Sequence, residues 1–264
     1  MSAASEPLVV CHVDGGVAHI VLNRPAHANA ISTPFAIALA EAIGVAVRAD
    51  VGAILLSARG RHFCVGGDIE EFVGDRARLD AVVQGMVDVL HPAMQSLVER
   101  AVPVVSAVQG PIGGAGIALA LCADFVLASP AMKLRGGYSA IGLSPDLGAS
   151  FFLTRRAGAA RAKRILMTNA VVPAQQCLEW GLVDALHAGD ALWPEACALA
   201  AQLADGARGS LGGIRRLCDG AHEHDLGTHL GLEREALLRA ARSADGREGI
   251  TAFVEKRAPV FGAR

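Results

Sequence analysis

An α/β fold with a helical C-terminal region is predicted by three observations. Apolar, β-rich runs alternate with turns and helical stretches through the first half of the 264-residue chain. Two Gly-rich turns, Cys64-Val65-Gly66-Gly67-Asp68-Ile69 and Gln109-Gly110-Pro111-Ile112-Gly113-Gly114-Ala115-Gly116, each follow a run apolar enough to be a fully buried strand. From about Gly189 onward the pattern changes to a series of helices.

Leu8–Val13 and Val17–Asn23 read as strands joined through Asp14-Gly15-Gly16, a hairpin signal. Thr33-Pro34 opens a helix to about Arg48, with Thr33 as the expected N-cap and proline at the first position. Val51–Ser57 reads as a buried strand, about Asp80 to Arg100 as a helix, and Pro103–Val108 and Asp124–Ala128 as strands. The later helices are Ala191–Leu203, Leu211–Ala221, Leu230–Ala241 and Arg247–Lys256. A soft boundary near His187–Asp190 divides a core of residues 1–188 from a helical region, 189–264. No repeat of fixed period and no low-complexity linker is visible.

Hydrophobic residues make up 52% of the chain and the mean hydropathy is +0.39, rich for a soluble monomer. That excess predicts subunit interfaces. A membrane span is not expected, because the most apolar stretch, Gly110 to Ala123, is too short and is interrupted by glycines. Net charge is −2 and basic residues do not cluster, which argues against nucleic-acid binding. The six cysteines show neither CxxC nor zinc spacing, and His222 and His224 do not share a helix face, so no metal is expected. Met1–Pro7 lacks a secretory leader, and a reducing cytoplasm is the expected compartment.

The chemistry begins at the two turns. Gly66-Gly67 and Gly113-Gly114 leave bare backbone where a strand meets a helix start. Amides of a first helical turn lack intrahelical partners and suit a developing negative oxygen. Two such donors converging would form an oxyanion hole. Each turn alone reads equally well as a tight connection. Asp146, in Leu143-Ser144-Pro145-Asp146-Leu147-Gly148, reads from spacing as a helix cap or turn. If its apolar neighbours keep it dry, it is also a candidate acid/base with a raised pKa. Cys64 has no His/Asn constellation to make it a nucleophile and reads as a small lining side chain. His62 has no identifiable partner, and Trp180 and Trp193 read as packing residues.

Several segments in order resemble the crotonase (enoyl-CoA hydratase/isomerase) superfamily: Leu22-Asn23-Arg24-Pro25 with Asn29-Ala30, Gly60 through Ile69, Gly110 through Asp124, Ser243 through Gly249, and Ala252 through Pro259. The resemblance implies a spiral of ββα units whose helical C-terminal part builds trimers or paired trimers. It implies an acyl-CoA thioester as substrate, with coenzyme A arriving as part of it and no separate cofactor. The carbonyl oxygen would meet the amides of Gly67 and Ala115. Ala26, Ala28, Cys64, Val65, Gly66, Asp68, Ile69 and Gly114 would line the CoA and acyl channel. Lys256, one of only three lysines, would lie near the CoA phosphates, though it reads equally as a solvated helix-end cation.

Hydratases of the family carry two Glu residues, at the positions of Ala118 and Tyr138. Asp146 stands where several isomerase members carry their working Asp. One carboxylate suffices for a 1,3-proton shift, so double-bond isomerisation by Asp146 is the leading expectation and hydration of a 2-enoyl-CoA the alternative. Two further possibilities are a binder of CoA thioesters that does no chemistry and, from His91, Tyr138 and Asp146, hydrolysis like that of the 4-chlorobenzoyl-CoA dehalogenase branch, with Tyr138 in place of that branch's Trp.

Overall fold

The computed structural model describes residues 6–74 and 76–262, with backbone only at residue 76. Of the Met1–Pro7 stretch, residues 1–5 lie outside it. β1 (Val9–Asp14) and β2 (Val17–Leu22) form the hairpin, with Gly15 and Gly16 both at positive φ, as its tight turn requires. α1 (Thr33–Arg48) leads to β3 (Ala53–Ala58), and the first Gly-rich turn is followed by α2 (Ile69–Gly74) and the long α3 (Leu79–Glu99). Next come β4 (Val104–Val108), β5 (Ile112–Gly113), α4 (Ala115–Leu121), β6 (Phe125–Ala128) and β7 (Lys133–Arg135). After α5 (Ala149–Thr168), β8 (Val171–Pro173), α6 (Ala174–Glu179) and β9 (Ala185–Leu186), the chain ends in α7 (Leu192–Ala204), α8 (Arg208–Gly220), α9 (Leu226–Ala241) and α10 (Ala244–Glu255).

Six strands form one sheet in the order β1-β2-β3-β4-β6-β9, parallel from β2 onward. Alternation along the strands sends Ala18, Ile20, Leu22, Ile54, Leu56 and Val104 to one face, where α1 and α3 cover them. Val17, Ala53, Leu55, Val105 and Leu127 go to the other face, under α7. α1 buries Phe35, Leu39, Ala42, Ile43 and Ala46, and α3 buries Met86, Leu90, Met94 and Leu97, each a stripe of helical period. Every fully buried Leu or Ile here contributes roughly 1.5–3 kcal/mol. A second sheet, β5-β7-β8, is much smaller.

The two Gly-rich turns meet at the ends of β3 and β4. The Gly113 amide donates to the Cys64 carbonyl at 3.0 Å, and that of Phe63 to Pro111 at 3.2 Å. A β-carbon on Gly110 would lie 1.8 Å from the carbonyl oxygen of Arg61, and one on Gly116 would lie 2.1 Å from that of Cys64. On its other side the first turn pairs with Ile31, which donates to Gly66 at 2.8 Å and accepts from Asp68 at 2.9 Å. Three stretches of backbone are thus stitched together with no side chain between them.

The C-terminal helices are anchored by Arg215 of α8. Its Nε donates to Asp124 at 2.7 Å, and its Nη1 reaches the carbonyls of Val98 (2.6 Å) and Arg100. By contrast α9 buries no residue, and Leu226, Leu237, Phe253 and Val254 of α9 and α10 are exposed.

Two local expectations change. Ser32 rather than Thr33 caps α1, its Oγ accepting from Phe35 at 3.4 Å; Thr33 is the first helical residue and gives its hydroxyl to Glu71 at 2.5 Å. Asp146 does not cap α5 with its side chain, since Gly148 in left-handed conformation takes the cap position. Sequence reading also assigns no element between Ala128 and Gly189 beyond that turn, where the structure has β7, α5, β8, α6 and β9. The strands there are two or three residues long, and α5 is broken at Gly158 (φ +80°, ψ +157°).

Replacing Gly110 with alanine should push the two turns apart and lower unfolding free energy by about 3 kcal/mol or more in a urea titration. Arg215→Ala should cost about 3–5 kcal/mol in the same titration, because it takes a nearly buried guanidinium away from the Asp124 carboxylate and from the carbonyls of Val98 and Arg100.

Candidate active site

Where the two turns meet, Gly66 has φ +98° and Gly114 φ +48°. A β-carbon on Gly66 would lie 3.0 Å from the Gly113 oxygen and 3.3 Å from the Ala115 nitrogen, so glycine is required for the turns to close on each other. The amides of Gly67 and Ala115 find no acceptor among the described residues. Both lie on this seam, Gly67 two residues before α2 and Ala115 as the first residue of α4. Val65 and Ile69 flank the first turn and are exposed.

The preceding loop is pinned to the same turn. Asn29 is wholly buried; its Oδ1 accepts from the Arg24 amide at 2.8 Å, and its Nδ2 donates to the carbonyls of Arg59 and His62 at 3.0 and 2.9 Å. Arg24 pairs with Asp68 at 2.6 Å. Burial alone would raise the Asp68 carboxyl, but Arg24 and the amides of Glu70 and Glu71 hold it below the ordinary carboxylate range. Asp68 is therefore fixed as an anion whose work is to hold the loop. Ala28, in left-handed conformation at φ +53°, and the exposed Ala26 lie on the loop so held.

On the far side of the seam lies one carboxyl. The Tyr138 hydroxyl donates to Asp146 Oδ1 at 2.5 Å. Beyond that hydroxyl and the amide of Asp146 itself, no donor among the described residues reaches the carboxyl. Burial raises the pKa of Asp146, and the Tyr138 bond and nearby His91 offset only part of that. Burial and the Asp146 charge push the phenol of Tyr138 far above its ordinary value, so it remains a donor. Cys64 lies within electrostatic reach of both, and its buried thiol is pushed up to about 12. The Gly114 amide donates to the Gly136 carbonyl at 3.0 Å, which holds the start of the Tyr138 turn against the seam, and Gly137 follows at φ +84°.

His91 gives its Nε2 lone pair to the Leu147 amide at 3.2 Å. Beside it a cavity of about 330 Å³ is lined by His91, Met94, Leu147 and Phe152, among others. Ala118 lies fully buried in α4. Lys256 caps α10 in left-handed conformation (φ +55°) and is exposed, and among the described residues no side-chain bond ties it to the loops of the site. No group of three or more potential metal ligands occurs among the described residues. Sequence reading assigns no work to Arg24, Asn29 or Gly137. Arg24 and Asp68 are 44 positions apart, beyond any local pattern.

A family model described as enoyl-CoA hydratase/isomerase matches residues 12–264. The chain is 35% identical over 258 residues to the 1,2-epoxyphenylacetyl-CoA isomerase of Escherichia coli (strain K12), covering 96% of this chain and 97% of that one. It is 31% identical over 257 residues to the trans-2-decenoyl-[acyl-carrier-protein] isomerase of Streptococcus mutans, covering 96% and 97%. The solved structure of an enoyl-CoA hydratase from Polaromonas sp. JS666 superposes with a TM-score of 0.88 at 31% identity, covering 95% of this chain and 98% of that one. That of an enoyl-CoA hydratase from Bacillus anthracis does so with a TM-score of 0.90 at 26% identity, covering 97% and 100%. A crotonase fold carrying two facing glycine turns, matched along almost its whole length, makes this chain a member of the enoyl-CoA hydratase/isomerase family.

Proposed function

We propose that this enzyme moves a double bond within an enoyl-CoA, with Asp146 carrying the proton. The observation that supports this reading most is a single half-buried carboxyl beside the seam, one oxygen held by Tyr138 and the other without a side-chain partner. Among the described residues it is also the only carboxylate that acts electrostatically on Tyr138 and Cys64. In the proposed reaction the thioester carbonyl accepts from the Gly67 and Ala115 amides, which stabilise the enolate oxygen. The Asp146 carboxylate removes a proton from C2 of a 3-enoyl chain. The electron pair spreads into a dienolate, and the same carboxyl returns the proton to C4, leaving the double bond between C2 and C3. Tyr138 keeps its proton throughout and orients the carboxyl.

Hydration would call for a second group able to take a proton from water, and beside Asp146 the described residues place the Tyr138 phenol, which keeps its proton and donates it to the carboxyl. A dehalogenase-like reaction with His91 as base is disfavoured because its Nε2 lone pair already accepts from Leu147. A cyclic, phenylacetyl-derived thioester is the second substrate class, favoured by the name of the E. coli relative and by the cavity lined with Phe152 and Met94 beside the Asp146 turn. Coenzyme A enters as part of the substrate, with Ala26, Ala28, Val65, Ile69 and Lys256 as its proposed contacts. The exposed apolar residues of α9 and α10 support a trimer or paired trimers built through residues 189–264. The cytoplasm is the proposed compartment.

In heavy-oxygen water, a 3-enoyl-CoA should be converted to its 2-enoyl isomer without gaining a labelled oxygen, by mass spectrometry. Incorporation of one water would overturn isomerisation in favour of hydration. Asp146→Asn should lower turnover at least about 10²-fold while leaving substrate binding within a few-fold. The reactive form is the carboxylate, so activity should fall as pH drops through a pKa above the ordinary carboxylate value. Tyr138→Phe removes a bond that favours the charged form. The acidic limb of its kcat/KM profile should therefore shift to higher pH.

A further inference from the structure

His91 projects from α3 toward the turn that carries Asp146, yet no step above uses it. Its Nε2 accepts the Leu147 amide proton at 3.2 Å, across 56 positions of sequence. The carbonyl of the same peptide unit, that of Asp146, accepts from the Ala149 amide at 2.9 Å. The peptide plane between Asp146 and Leu147 is therefore gripped from both sides, by α3 and by the first turn of α5.

The turn needs that grip. Leu147 has φ +49° and is buried, although a left-handed conformation is unfavourable for leucine. Gly148 follows at φ +92°. These two successive positive values fold the chain so that Leu147 enters the core while the Asp146 carboxyl faces Tyr138. Rotating the 146–147 plane would swing the Asp146 side chain off that hydroxyl. While Nε2 accepts the Leu147 amide proton, that lone pair is not available to take a proton from a substrate.

We propose that His91 is a positioning residue: its Nε2, bound to the Leu147 amide, locks the 146–147 peptide plane and so aims the Asp146 carboxyl at the reacting carbons. The inference rests on the reading of Asp146 as proton carrier. A carboxyl displaced by about 1 Å loses on the order of 10²-fold in rate.

Two variants separate aim from bulk. Gln reaches as far as Nε2 and presents an amide oxygen there, whereas Asn stops near the position of Nδ1. In the full-length protein, with a 3-enoyl-CoA as probe, H91N should lower kcat about 10²-fold with KM within about threefold. H91Q should recover at least about tenfold of that loss. Deuterium exchange of the segment 143–150 should quicken in H91N and stay near wild type in H91Q. Equal losses in both variants, or unchanged exchange in H91N, would overturn the proposal. D146N, assayed alongside, tests the underlying reading separately. If D146N turns over normally, Asp146 is not the proton carrier and the catalytic role of His91 falls with it. If D146N is inactive while H91N is unimpaired, only the His91 proposal fails.

Discussion

The carbonyl oxygens of Arg61 and Cys64 occupy the space that β-carbons on Gly110 and Gly116 would need. This contact of bare backbone on bare backbone governs the layout of the site. Parallel strands β3 and β4 end side by side, and their exit loops must run in register to bring the free amides of Gly67 and Ala115 to one place. Side chains in the seam would hold the loops a residue's width apart. The main sheet provides a rigid base for this meeting, with α1 and α3 on one face and α7 on the other. Amides set by backbone packing need no reorganisation when charge develops on a substrate oxygen.

Electrostatics around the seam are divided cleanly. On the side of the entry loop, Asp68 is held ionised by Arg24 and serves as a clamp. On the opposite side, Asp146 has only a neutral phenol for a close side-chain partner, and burial raises its proton affinity. Two aspartates thus have opposite pKa shifts: a guanidinium faces one, a hydroxyl the other. This separation lets one carboxylate act as structure while the other remains able to exchange a proton.

Much of this was legible in the residues. The hairpin, the interior strands and α1 and α3 announce themselves through long apolar runs, a clear helical period, and Gly or Pro at the ends. The facing turns are legible as well, because glycines in pairs mark close approach. Helix ends such as Ser32 shift by one residue because Ser and Thr are both competent caps. What lies between residues 129 and 188 is different. β7, β8 and β9 are too short to show a period, and a change of direction at Gly158 interrupts the face of α5. Tyr138 and Asp146 are eight positions apart, and nothing in that spacing says they touch. They meet because a single 3-10 turn, Tyr138–Ile141, and four positive φ angles, at Gly137, Gly142, Leu147 and Gly148, fold the stretch back on itself. The Asn29 staple and the Arg24–Asp68 pair escape notice for the same reason, being made by the fold rather than by neighbouring residues.

Cys64 lies on the first of the two turns, fully buried, and its chemistry is defined by that burial. In the proposed reaction a thiolate at that position would compete for the thioester carbonyl, displacing coenzyme A and leaving the acyl group on the protein as a dead-end adduct. Burial pushes the pKa of Cys64 up to about 12, which keeps it a thiol at neutral pH. Burial thus acts on both groups, raising the proton affinity of Asp146 and keeping the Cys64 sulfur protonated, and it should leave this cysteine resistant to alkylating and oxidising agents that modify exposed thiols.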